Sequence, residues 1–211
     1  MNDSPRRALL VIDVQREYVT GELPIAFPPL ETSLPNIGTA MDAARAAGIP
    51  VIVVQQEAPA GSPLFARDGQ GWELHPVVGD RPRDHLVEKR LPSAFAGTDL
   101  EAWLAAEAID TLTVVGYMTH NCVDATIRQA VHLGLSVEFL ADAAGSVPYE
   151  NAAGRASAEG LHQAFCVVLQ SRFAAVTDTQ TWIASLKGEA PAAQRDSIYA
   201  SNQRARGRLV G

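Results

Sequence analysis

The chain has 211 residues, enough for one domain with a full core. Its composition, 47% apolar and 19% charged, is that of an ordinary globular protein. The net charge of −7 argues against nucleic acid or an anionic membrane as partner. No apolar run is long enough to span a bilayer. The N-terminal residues MNDSPRRALLVIDVQ lack the pattern of a signal peptide, which points to a cytoplasmic protein with two free thiols, Cys122 and Cys166.

Residues 8–12 form a short continuous apolar run, read as a buried strand of the parallel type. Asp13 ends it, where α/β sheets place their chemistry, although a turn or cap role fits equally. Gln15, Glu17 and Tyr18 follow at the expected mouth of a cleft. Ser33 and Pro35 open a helix lined by Ile37, Met41, Ala44 and Ala47, and Gly48 closes it. Residues 50–54 make the second buried strand, completing a βαβ unit.

Residues 57–83 are rich in Gly and Pro and show no periodicity. A loop of that length is expected to wall a pocket or act as a lid. Within it, Trp72 either pins the loop or lines the pocket, with His75 nearby. Residues 85–87 are a third strand, followed by Lys89, which reads as a solvated charge or a catalytic one. Phe95 is a candidate pocket wall. Thr98 and Glu101 suggest a capping box on a helix containing Leu100, Trp103 and Ala108.

The most informative stretch is 112–143. It reads as a buried strand (112–115), a tight loop through Gly116, Tyr117, Met118, Thr119, His120 and Asn121, a helix opening at Cys122, and a strand (136–141). Val123, Ile127, Ala130 and Val131 share one helical face, and Gly134 stops the helix. A thiol at a helix N-terminus is expected to ionise readily and to have N–H groups nearby for an oxyanion. A small buried hydrophobe is the competing reading for Cys122. Asn151 is expected to cap a long helix through Leu169, in which His162 and Cys166 pack or are solvated. A last strand covers 174–176, and a final helix contains Trp182. From 188 the composition shifts to Ala, Pro, Gln, Arg, Ser and Gly. The expected division is therefore a domain at 1–187 and a tail at 188–211, disordered or draped on a neighbouring subunit.

The alternation of elements predicts an α/β fold: a three-layer αβα sandwich around a six-stranded, mostly parallel sheet in the order 3-2-1-4-5-6. In that order Asp13 and Cys122 end or follow adjacent strands. Lys89 lies two strand spacings from the first, roughly 10 Å, which its side chain must cross.

Three segments carry a resemblance: VIDVQREY with Asp13, VEKRLPSAF with Lys89, and VVGYMTHNCVDATIRQAVHLG with Cys122. The chain resembles the isochorismatase-like cysteine hydrolase superfamily. Through GWELHP, SAFAGTDL and GYMTHNCV it is most similar to the nicotinamidase-related, streptothricin-hydrolase-like branch. The resemblance implies an Asp13–Lys89–Cys122 triad, a non-proline cis peptide at Tyr117–Met118, and an oxyanion hole from the N–H groups of Met118 and Cys122. It implies hydrolysis of a C–N bond in a small amide, lactam or carbamoyl compound through a thioester, and a homodimer or larger assembly. Tyr18, Trp72, Phe95, Tyr117 and His120 are the candidate pocket residues. The metal ligands that nicotinamidases carry after the second strand are replaced here by Gln55, Gln56 and Glu57, so neither a metal nor another cofactor is expected. A vinyl-ether hydrolase and a non-catalytic scaffold are the alternatives.

Overall fold

The computed structural model describes residues 5–208. The outermost ends of the expected domain and tail, 1–4 and 209–211, lie outside the described residues.

The core is a six-stranded sheet in the order β3-β2-β1-β4-β5-β8, with every pairing parallel. The strands are β1 (Arg7–Ile12), β2 (Val51–Gln56), β3 (His85–Lys89), β4 (Thr111–Tyr117), β5 (Ser136–Gly145) and β8 (Ala175–Thr177). The expected order holds, the sixth sheet strand being the eighth in the chain because a hairpin intervenes. β1 and β4 are buried on both faces, hence their unbroken apolar runs. Alternate residues feed two cores. Leu10, Ile12, Val54, Val87 and Val114 face α3 (Leu100–Ala106), α4 (Asp124–His132) and α5 (Ala158–Gln170). Leu9, Val11, Val51 and Val53 face α1 (Leu30–Ala46), α2 (Pro76–Gly79) and α6 (Thr179–Leu186).

Several boundaries depart from the sequence reading. The first helix begins at Leu30, so Pro35 lies within its second turn rather than its first. Asp99, not Thr98, occupies the N-cap of α3; the Thr98 hydroxyl instead donates to Ala94 O (2.6 Å) and accepts from Leu100 N–H (3.3 Å). Asn151 caps no helix. It closes the hairpin of β6 (Tyr149–Asn151) and β7 (Gly154–Ala156), its side-chain oxygen accepting the Ala153 N–H at 2.8 Å. That local Asx turn, followed by Gly154, outcompetes helix formation. α5 starts only after Ser157, whose hydroxyl accepts from Gly160 N–H. The segment read as a tail carries α7 (Ile198–Ala205) and returns to its own chain, where Asp196 N–H donates to Gln170 O and the Gln170 amide donates to Gln194 O, both at 2.9 Å. Among the described residues no helix is long and apolar enough to cross a membrane.

Gly116 positions the site. Its φ is +108°, and a Cβ there would meet Ile12 O at 2.1 Å, one residue before Asp13. Only glycine allows β4 to lie this close to the end of β1. Gly116→Ala should therefore destabilise the fold by about 3 kcal/mol or more. The resulting fall in Tm, about 6–12 °C for a chain of this size, is read by thermal circular dichroism.

Candidate active site

Three strands end at one place. Asp13 follows β1 in a left-handed conformation (φ 51°), a region that Asp tolerates better than most residues. Its N–H is fixed by Val54 O at 2.9 Å. Lys89 is the last residue of β3 and pairs in register with Gln56 of β2. Cys122 follows β4. The Lys89 ammonium lies 2.7 Å from Asp13 Oδ2 and 3.3 Å from Cys122 Sγ. The side chain of Lys89 thus crosses β2 to cover the two-strand gap. All three residues are buried, with exposures of 0% (Asp13), 1% (Lys89) and 5% (Cys122).

The expected helix opening at Cys122 is corrected in detail. A π turn, Thr119–Val123, precedes α4, and Cys122 is its fourth residue. The turn is closed by Val123 N–H to Met118 O at 3.2 Å. It is braced by Thr119, whose hydroxyl bonds to His162 Nδ1 (2.9 Å) and donates to Gly145 O (3.2 Å). The Tyr117–Met118 peptide bond is cis.

Burial overrides the helix terminus in setting the charge of the thiol. Burial, and next the Asp13 charge, push Cys122 up to about 12, with Lys89 pulling only partly the other way. Burial thus works against the ready thiolate that a helix N-terminus would favour. Burial also pushes the Asp13 carboxyl above its usual value, countered in part by Lys89. For Lys89, burial favours the neutral amine, but Asp13 and Cys122 outweigh it and the ammonium is held more firmly than usual. One buried cation thus faces two groups that could each become anionic. The neutral cluster has the ammonium balanced by a single negative charge, with one proton shared between carboxylate and thiol.

Around this cluster the pocket candidates take different places. Tyr18 is buried against Phe65 and Tyr117, and its phenol is pushed well up by burial and then by Cys122 and Asp13. Phe95 packs in the core cluster that contains Cys122. Tyr117 is fully buried, its hydroxyl 2.8 Å from Ser33 Oγ on α1, so it anchors the sheet to that layer. Trp72 fixes its loop through its backbone, the carbonyl accepting from both Gln15 and Gln55 side-chain amides at 2.8 Å. His120 bonds Ser146 Oγ at 2.9 Å and meets Tyr149 edge-on, while burial pushes its imidazole below its usual value. His75 caps α2, its Nδ1 accepting from Val77 N–H.

Sequence reasoning names Gln15 at the cleft mouth and Gln55, Gln56 and Glu57 in place of metal ligands, but assigns none of them a bonding role. Gln56 Oε1 accepts from Lys89 at 2.6 Å. Buried Glu57 receives Arg90 at 2.7 Å and also Arg67, tying the long loop to the residue after Lys89. The signal was a polar run, Gln55-Gln56-Glu57, closing an otherwise apolar strand.

The isochorismatase-domain family model matches residues 7–181. A crystal structure of an isochorismatase-like protein from Burkholderia xenovorans LB400 superposes with a TM-score of 0.94 at 68% identity, covering 97% of this chain and 98% of that one. Streptothricin hydrolase of Streptomyces noursei is 38% identical over 65% of this chain, though the match spans only 49% of that enzyme. The ureidoacrylate amidohydrolase RutB of Acinetobacter baylyi is 29% identical, over 83% of this chain and 82% of its own length. With the family model spanning residues 7–181, the chain belongs to the isochorismatase family of hydrolases, with amidohydrolases among its relatives.

Proposed function

We propose that the chain is a cysteine hydrolase that cleaves a C–N amide, lactam or carbamoyl bond of a small molecule through a thioester. The observation that carries this reading is the single buried ammonium within 2.7 Å of a carboxylate and 3.3 Å of a thiol. Nucleophile, base and orienting group are then within reach of one another.

In the resting state Asp13 is ionised and Cys122 protonated. As sulfur attacks the substrate carbonyl, Asp13 takes the thiol proton, and the ammonium balances the charge now on sulfur and then on the adduct. The N–H groups of Met118 and Cys122 are the proposed oxyanion donors; losing one such donor typically costs ~3–4 kcal/mol. Asp13 returns the proton to the departing nitrogen. Asp13 then deprotonates the water that cleaves the thioester and passes that proton to the departing sulfur, which restores the resting thiol. Each step leaves the cluster's net charge unchanged, which a dry site requires.

The neighbouring cations favour an uncharged acyl group. Arg67 and Arg90 are both committed to Glu57, and Arg67 to Glu88 as well. One observation favours a second reading: a carboxyl raised by burial is a competent proton donor, as vinyl-ether cleavage would need. Ammonia release from an amide panel supports the first reading, and pyruvate release from isochorismate the second.

Three outcomes follow. Cys122→Ala should lower amide hydrolysis by about 10⁴-fold or more, read as ammonia release; parent-like turnover would remove Cys122 as nucleophile. Because the thiol is pushed up to about 12, iodoacetamide alkylation of Cys122 should keep rising through pH 9 without the plateau that a free thiol of pKa about 8.5 approaches. Because Asp13 must be ionised and its pKa is raised, kcat/KM should be lost as pH falls through a limb above the ordinary carboxylate value of about 4.

A further inference from the structure

An ammonium has three N–H bonds to place, and burial makes an unplaced one expensive. Lys89 is 1% exposed, so solvent does not serve it. Two of its contacts are the groups described above, Asp13 Oδ2 at 2.7 Å and Cys122 Sγ at 3.3 Å. The third is Gln56 Oε1, at 2.6 Å the shortest of the three.

We propose that Gln56 is a positioning residue of this triad: its side-chain carbonyl takes one N–H of Lys89 and so holds the ammonium beside the Asp13 carboxylate and the Cys122 sulfur. The inference rests on the triad reading and adds a fourth member to it. Four features make Gln56 suited to the task. It lies on β2, the strand between those bearing Asp13 and Lys89, and pairs in register with Lys89. Its amide orientation is settled by its own bonds: Nε2 donates to Glu57 O at 3.1 Å, which leaves Oε1 facing the ammonium. Its backbone is clamped at both ends by one buried side chain, Gln15, whose Oε1 accepts the Gln56 N–H and whose Nε2 donates to Gln56 O, each at 2.9 Å. The same Gln15 amide also donates to Trp72 O at 2.8 Å, so the wall loop and the lysine are registered on one bonding chain. Finally, the partner is neutral. A carboxylate at this position would compete with Asp13 for the ammonium and add a negative charge beside the sulfur, disfavouring the thiolate.

The test uses the full-length protein with Gln56→Leu, which keeps the volume but removes the acceptor, and Gln56→Glu, which keeps an acceptor oxygen but adds charge. The first readout needs no substrate: the rate of iodoacetamide alkylation of Cys122 across pH, by peptide mass spectrometry with Cys166 as internal reference. Gln56→Leu should slow Cys122 alkylation about tenfold at pH 8 while Cys166 is unchanged and Tm stays within a few degrees of the parent. Gln56→Glu should retain a folded, lysine-bound site but move the rise of Cys122 alkylation to higher pH. On the amide found by ammonia release, Gln56→Leu should lower kcat by about tenfold or more with KM within about twofold, and Gln56→Glu should shift the acid limb upward. Parent-like alkylation and kcat in Gln56→Leu would overturn the inference. So would equal losses in both variants with an unmoved pH profile, the mark of a merely structural residue. If Cys122→Ala retained activity, the triad reading itself would fall, whereas failure of the glutamine variants alone would remove only the role of Gln56.

Discussion

A single buried ammonium organises the functional end of this protein. Taking Lys89 out of water is tolerable only because a carboxylate, a thiol and an amide oxygen stand around it. Removing one partner of such a buried pair costs about 3–5 kcal/mol, so the cluster constrains the fold as well as the chemistry. Its charge state follows from the same scarcity of solvent. One cation balances one anion at a time, so the carboxylate and the thiol compete for it.

The sheet supplies the geometry. Neighbouring parallel strands deliver Asp13 and the Cys122 turn side by side, and the close approach that Gly116 permits brings β4 against β1 at the candidate site. Lys89 comes from farther away, across β2. Reaching over another strand leaves a long side chain free to wander unless something on the strand beneath holds it, which is the structural reason to look at Gln56. The 57–83 loop, in turn, is tied down by buried amides on the Trp72 carbonyl and by Glu57 between two arginines, so it forms a fixed wall next to the lysine.

Much of this was legible in the chain. Largely apolar runs such as LLVI and LTVV reported strands buried on both faces, and Asp13 directly after the first marked the edge where α/β sheets place their sites. What escaped was set by local bonds that periodicity does not encode. The apolar spacing after Cys122 located the helix but not the π turn before it, so the sulfur was read as sitting at a helix terminus and easily ionised. Burial, which spacing does not reveal, pushes the thiol the other way. Asn151 carried the residue type of a helix cap, yet an Asx turn ahead of Gly154 made a hairpin instead. Gln56 is silent in sequence, because nothing in a Gln-Gln-Glu run says which lysine its oxygen will meet.

The central claim is that Cys122 sulfur becomes covalently acylated while Lys89 and Asp13 manage the charge around it. The most direct measurement is rapid acid quench of a single turnover, followed by mass spectrometry of the peptide bearing Cys122. The account predicts a transient adduct on that cysteine with the mass of the acyl group, appearing with the released nitrogen product and decaying to free acid. Product formation at the same rate with Cys122 unmodified throughout would contradict it.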